Sequence, residues 1–549
     1  MGVEETRTQP QVSDLESINS GKVISERAAD ETLRLVEEYG DRIAPLTEDG
    51  EKKLRWKIQI HVLALVFIID LLLFIDKATL AYSSYLGIFD ETNIGGTEYN
   101  NLNTIFYAGK QFYLQVHLIL RAMIMTIAGY IVAQAPGHYL MQRLPLGKFV
   151  AGSVFLWSIV IFLHCTAKSY GALIPLRFLL GFFESVLVPC MEVTMGMFLT
   201  PRELLRVQPF FWISCMAAPV PAGFIAYGLL HVHHPTILPW KFFMIITGSL
   251  TFLTAIYSWF WYPNNPAHAK FLTLEEKVNA IRRIHKATKS SIEQKTFKKY
   301  QLKEALRDPV SWLFFMASLC LMIANNLAYQ QNLIFVKIGV SRLGSTLVSA
   351  AGGGFSVICC LLATVLLHFF PNRSAFWGAF WCLPAVAGGI GMVALPWESR
   401  IPLLACMLLA ANTFGITYII ALGWTSATAG GYTKKLARNV LWMAGYSIAN
   451  LVSPQIWVAK DAPRYYGAWI AQILVSWIGT PACLLAVHWI LSRRNKERRK
   501  WIAAQEAQGH RPVGVVEQID ANGDVVQVEV DISLLDLTDM ENKWFIYQL

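Results

Sequence analysis

Charge is scarce in this chain. Only 15% of its 549 residues are Asp, Glu, Lys or Arg, while 54% are hydrophobic; an ordinary globular domain is about 25% charged. Catalytic signatures are missing as well. There is no Gly-rich phosphate loop, no His-Glu-x-x-His and no Gly-x-Ser-x-Gly, so nothing points to an enzyme and no cofactor is expected. The nine cysteines (Cys165, Cys190, Cys215, Cys320, Cys359, Cys360, Cys382, Cys406 and Cys483) form no Cys-x-x-Cys pair and lie in or beside apolar runs. That pattern excludes a zinc framework or a disulfide scaffold and leaves them as small packing residues. Residues 1–56 lack an apolar segment behind a basic start, so a cleaved signal peptide is not expected. They read as a mobile arm with a short helical pattern around 28–38. Net charge is +9, but the positive residues sit in alternate loops beside apolar runs, which argues against a nucleic-acid partner.

Apolar length is what the chain has in abundance. A helix needs roughly 20 apolar residues to cross the hydrocarbon core. Twelve such stretches occur, near 58–82, 101–141, 148–167, 170–198, 207–230, 241–262, 310–332, 345–370, 376–396, 401–425, 436–458 and 467–491. Six lie on each side of a basic segment, which predicts an all-α polytopic membrane protein. The expected organisation is a cytoplasmic arm over 1–57, a six-helix half over 58–262, a basic central loop over 263–308, a second six-helix half over 309–492 and a cytoplasmic tail over 493–549. Within that tail the valine-rich stretch Val513 to Val530 is compatible with a hairpin around Asn522-Gly523.

Loop charge sets the expected orientation. With the N-terminus inside, the inner loops carry Arg143, Lys148, Arg202, Arg206, Arg373, Lys434, Lys435 and Arg438, and the tail adds Arg493, Arg494, Lys496, Arg498, Arg499 and Lys500. Opposite loops are poorer in cations and include Asp90, Glu91 and Glu98. The positive-inside rule then places both ends in the cytoplasm. The 263–308 segment holds eleven Lys or Arg against five acids; it reads as a solvated loop with this bias, or as a surface for anionic lipid headgroups. By the same topology the sequon Asn372-Arg373-Ser374 lies inside, where it goes unused. His231, His233 and His234 cluster at an outer loop, read as solvated, with metal binding as the sharper alternative.

Polar groups within the spans are the place to look for function, because a charge facing lipid is costly. Span one carries Asp70, Asp76 and Lys77; span four carries Arg177, Glu184 and Glu192. Arg177 and Glu184 are two helical turns apart and share a face, with Gly181 between them. Two readings stand for this pair: an ion-pair network that locks span four to its neighbours, or a titratable Glu184 tuned by burial and a cation. Lys77 is the candidate for attracting a carboxylate by exchanging partners with Asp76, and a snorkelling lysine is its alternative. The second half offers neutral groups: Asn325, Asn326, Tyr329, Gln330 and Gln331 in span seven, Asn412, Thr413, Thr417 and Tyr418 in span ten, and Asn439, Tyr446 and Asn450 in span eleven. These glue helices together or hydrogen-bond a small solute. Gly352-Gly353-Gly354 and Gly445 allow close helix approach or bending. A channel is disfavoured, since no filter-like repeat or ring of like charge appears.

Six plus six spans about a basic loop resemble the major facilitator superfamily, whose halves rock around a central site. Ordered matches bring the chain closer to fungal anion:cation symporters of the allantoate permease family. They include Phe74–Tyr82, Leu176–Glu184, Pro263-Asn-Asn-Pro to Thr273, Lys295–Lys298, Glu304–Pro309, Gly431–Lys435, Ser453-Pro-Gln455, Asp461–Tyr465 and Asp536–Asn542. The resemblance implies proton-coupled import of a small organic anion such as allantoate, another ureide, nicotinate or pantothenate, by a monomer in the plasma membrane. On the reading of the polar residues in the spans, Lys77, Asn325, Tyr329, Asn412 and Tyr446 are expected at the substrate, and Asp76, Arg177 and Glu184 in proton coupling. Two departures stand out. The loop after span two keeps Gly137 and Arg143 but lacks the family's usual acid. Span five has Pro219, Pro221 and Gly223 rather than the glycine-rich motif of drug antiporters, which favours uptake.

A third departure lies in span two. The family pattern runs from a segment like Asn103–Gly109 straight into one like Tyr130–Gly137, whereas here Lys110–Gly129 intervenes. A translated intron, whose length preserves the reading frame, or a genuine insertion both fit. The insert also keeps open a non-transporting paralogue or nutrient sensor as the alternative function.

Overall fold

The computed structural model describes residues 39, 43, 44, 46–84, 86–115, 144–232, 237–288, 298–370, 372–508, 513–519, 525–531 and 537–549. The helical pattern near 28–38, His233, His234 and most of the insert lie outside them. The first half is α1 (Glu48–Ser83), α2 (Gly96–Gln115), α3 (Leu146–His164), α4 (Tyr170–Phe198), α5 (Pro201–Ala217, continuing as Pro219–Leu230) and α6 (Pro239–Trp261). The second is α7 (Pro309–Lys337), α8 (Arg342–Phe369), α9 (Ser374–Ala394), α10 (Arg400–Ala427), α11 (Tyr432–Val452) and α12 (Tyr466–Ala507). The all-α, six-plus-six architecture expected from the apolar runs is therefore present. Lys110–Gln115 simply extends α2.

Helix starts follow local chemistry. Thr200 and Glu203 form a reciprocal capping box at α5, Ser341 caps α8 through the Gly344 amide, and Asp308 caps α7 through Val310 at 3.2 Å. Each satisfies amides that the first turn leaves unbonded. Close helix approach depends on missing side chains. A Cβ on Gly445 of α11 would stand 2.5 Å from the Phe315 carbonyl of α7, and one on Gly223 of α5 would stand 2.7 Å from the Thr346 carbonyl of α8. Gly352 and Gly353 are similarly hemmed in by α10 and α5, whereas Gly354 meets nothing.

Ten of the described helices are long and apolar enough to cross a membrane. Within the described residues α2 and α11 fall outside that set, and both are polar there. Their Asn100, Asn103, Lys434, Arg438 and Asn450 are buried against protein, which is where polar residues at membrane depth can be accommodated. Leu253, Phe260, Ile358, Leu383 and Trp489 stand more than half exposed, an apolar exterior suited to lipid.

The basic segments gather at one end of the bundle. In the first half Lys57 pairs with Glu276 at 2.7 Å, and Arg283 pairs with Glu203 at 2.9 Å. In the second, Asp308 takes Arg438 and Arg494, each at 2.9 Å, with Lys434 at 3.6 Å. Lys434 in turn holds Glu304 and Asp539, each at 2.7 Å. Burial pushes the Asp308 and Asp539 carboxyls up, but the surrounding cations outweigh it and hold both below the usual carboxylate range.

Residues 537–549 take part in this network instead of trailing into solvent. Tyr547 donates to Asp539 at 2.7 Å and exchanges two hydrogen bonds with Asn495, each 2.9 Å. The Gln548 carbonyl accepts from Trp424 at 2.8 Å, and the Leu549 carbonyl accepts from the Ser374 amide at 2.9 Å. Upstream, β1 (Val513–Ile519) pairs antiparallel with β2 (Val525–Asp531), the hairpin that the valine-rich stretch suggested.

Candidate functional site

Asp76, Arg177 and Glu184 come together inside the first half. All three are at most 2% exposed, and the Asp76 and Glu184 carboxyls lie within hydrogen-bond reach of each other. Arg177 is in electrostatic contact with both. Trp157 of α3 orients the group by donating to Asp76 Oδ2 at 2.9 Å. Glu184 is the last helical residue before α4 breaks at Ser185. Two carboxyls this close repel one another when both are charged, and the Arg177 guanidinium beside them offsets that repulsion. Arg177 Nε and Nη2 find no acceptor among the described residues. A guanidinium with two unengaged donors is shaped to receive a carboxylate.

The second half closes over this cluster with neutral groups. Asn325 sits in a 3-10 stretch of α7, Ile323–Asn326, and donates to Tyr107 Oη at 3.1 Å and to Asn450 Oδ1 at 2.6 Å. Tyr329 Oη lies 3.2 Å from Tyr107 Oη. Tyr107, Tyr329 and Tyr446 are all within electrostatic range of Glu184, and Tyr329 also of Arg177. The contact face therefore combines α1, α3 and α4 with α2, α7 and α11.

The halves are also zipped together at the end away from the basic segments. Tyr99 donates to the Tyr329 carbonyl at 2.9 Å, Gln330 to Asn100 at 2.7 Å, and Asn100 to the Trp457 carbonyl at 2.8 Å. Gln455 reaches Thr104 at 2.9 Å and Asn101 at 3.2 Å.

Two residues singled out from the sequence stand apart. Lys77 turns away from Asp76 and lies 3.8 Å from the Phe74 ring centroid, within range of Cys215 on α5. Among the described residues it makes no ion pair. Neighbours in sequence are about 100° apart around a helix, so adjacency to Asp76 did not become contact. Asn412 accepts from Ser356 at 2.9 Å and donates to its own helix at Leu408, a seam between α8 and α10. The site also contains residues that pattern reading passed over: Tyr99, Asn100, Tyr107 and Trp157. Buried aromatics at helical spacing look like core; only the Asn100-Asn101-x-Asn103 run, unusual in a span, was a signal.

A family model described as Major Facilitator Superfamily matches residues 92–454, about two thirds of the chain. The chain belongs to the Major Facilitator Superfamily. It is 45% identical, over 96% of both chains, to the high affinity cysteine transporter of Saccharomyces cerevisiae. It is 27% identical to the allantoate permease of the same yeast, covering 100% of this chain and 95% of that one. Among solved structures a D-xylose–proton symporter superposes with a TM-score of 0.55 at 14% identity, over 76% of this chain and 96% of the other, which speaks to the superfamily fold alone. The protein is accordingly an integral membrane transporter of this superfamily and not an enzyme.

Proposed function

We propose that the chain imports a small carboxylate, cysteine before the ureides and vitamins, together with a proton. The observation that carries this reading is the buried Asp76–Arg177–Glu184 cluster facing Tyr107 and Tyr329 across the boundary between the halves. It offers a cation for a carboxylate, acids for an ammonium group, and a carboxyl pair able to take up and release a proton. A zwitterion satisfies both signs at once. The 45% identity to a cysteine transporter over nearly the whole chain supports the choice of amino acid.

In this mechanism Arg177 anchors the carboxylate, Lys77 draws the anion toward it, and Asn325, Tyr329 and Tyr446 complete the polar wall. Asn412 acts from the α8–α10 seam. The Asp76–Glu184 pair loads a proton with the substrate, and rocking of the halves, opening the Asn100–Gln330–Trp457 zip at one end, exposes the cluster alternately. Charge in the loops supports placing both termini in the cytoplasm; a monomer in the plasma membrane follows the family resemblance.

The test is uptake of labelled cysteine, allantoate and nicotinate by cells expressing the full chain, with and without a proton uncoupler. Saturable cysteine accumulation that the uncoupler abolishes is the expected result. Accumulation of a ureide or vitamin in its place would refute cysteine as substrate, and binding without accumulation would refute transport.

A further inference from the structure

Beside the charged cluster lies a second kind of surface, made of sulfur and rings. Trp212 of α5 meets Tyr418 of α10 edge-on, with centroids 6.1 Å apart, and Tyr418 meets Tyr446 of α11 at 5.8 Å. Met443 Sδ of α11 lies 3.8 Å from the Tyr418 hydroxyl. From the other half the Met216 methyl presses toward Gly415, where an added Cβ would come within 2.9 Å. Cys215 is in electrostatic range of Tyr418 and Tyr446 as well as of Asp70 and Lys77. Trp212 packs against the cores of both halves. Although they lie where the halves meet, Trp212, Cys215, Met216, Met443 and Tyr446 all stay partly exposed. These side chains keep some accessible surface at the boundary between the halves, where a sealed core would leave none. This surface adjoins the cluster through Tyr446, whose neighbour Tyr107 is in range of Glu184.

We infer that the surface between α5, α10 and α11 is a side-chain subsite, lined by polarizable groups and selective for a thiol over a hydroxyl. This rests on the reading that the cluster holds the substrate's carboxylate and ammonium groups. Sulfur packs favourably against sulfur and aromatic faces, while a hydroxyl brought there gives up water without an equal partner. The Tyr418 hydroxyl, the obvious candidate to greet it, is already directed at Met443. Serine therefore enters at a disadvantage that its near-identical size does not remove, and alanine fits but gains less.

The experiment is competition against labelled cysteine uptake by serine and alanine, in the full chain and in Met443→Leu and Met216→Leu, both close in volume. For the unaltered chain, serine should need roughly ten times the concentration of unlabelled cysteine to compete. Each substitution should narrow that ratio by about two- to tenfold. Cysteine uptake with an unchanged ratio in both variants overturns the subsite and leaves the transport reading standing. Uptake of another carboxylate without cysteine overturns the two together. If a variant fails to reach the membrane, the unaltered chain still decides. Alkylation of Cys215 by a small maleimide, scored against Cys215→Ser, should be slowed by cysteine and not by serine; equal protection by both contradicts the subsite.

Discussion

Glu184→Gln leaves a transporter that equilibrates its substrate but no longer concentrates it. With one proton carried per substrate, each unit of inward pH gradient supports roughly tenfold accumulation; without that proton the ratio falls to about one. Glutamine keeps the size of the side chain at a site 0% exposed, so binding and exchange of labelled for unlabelled substrate should survive. Asp76→Asn should behave in the same way, because the two carboxyls lie within hydrogen-bond reach and share one proton in the proposed cycle. Arg177→Ala differs in kind. It should weaken substrate binding, by roughly tenfold or more for a lost charge-assisted contact, in exchange as well as in accumulation. Counterflow and gradient-driven uptake, measured side by side in the three variants, separate coupling from binding.

Asp308→Asn is expected to destabilise the second half by about 3–5 kcal/mol, the usual result of removing one partner from a buried ion network. It would leave Arg438 and Lys434, both 0% exposed at the side chain, and Arg494 around a neutral amide. Thermal unfolding in detergent reads the loss. Glu497→Gln is the control, since its 3.8 Å contact with Arg493 is 72% exposed on the acid's side and should count for little. The same network sets a pH dependence. Asp308 and Asp539 have folded pKa values below their unfolded ones, so their contribution is complete above about pH 4 and disappears as pH falls through the folded values. Stability should be level from pH 7 to about 5 and drop below about 4, less so in Asp308→Asn.

Much of the fold was legible because lipid imposes a simple demand on sequence. Apolar runs marked the helices, and the split by a basic segment marked the halves. Even α2 and α11, whose described residues are the more polar ones, were legible as the apolar runs near 101–141 and 436–458. Their polar residues belong to the parts of the bundle that lipid does not touch. That Arg177 and Glu184 share a face was readable from helical periodicity, since two turns return to the same side.

The rest of the site depended on contacts between helices remote in sequence. Nothing local says that Trp157 should reach Asp76, or that Tyr107 should meet Tyr329 from the opposite half. Lys77 shows the reverse problem, a neighbour in sequence that points elsewhere in space. The docked C-terminal segment was missed for a related reason. Asp539 and Tyr547 look like ordinary tail residues until Lys434, Asn495 and Arg498 are seen waiting at the helix ends.

Proteoliposomes holding the purified chain and a pH-sensitive dye give the most direct test of coupling through the Asp76–Glu184 pair. Adding cysteine outside, with no imposed gradient, should drive protons inward and acidify the lumen in the unaltered chain, and should do neither in Glu184→Gln. Cysteine entry that leaves lumenal pH unchanged, or acidification that persists in Glu184→Gln, would contradict the proposed role of the pair.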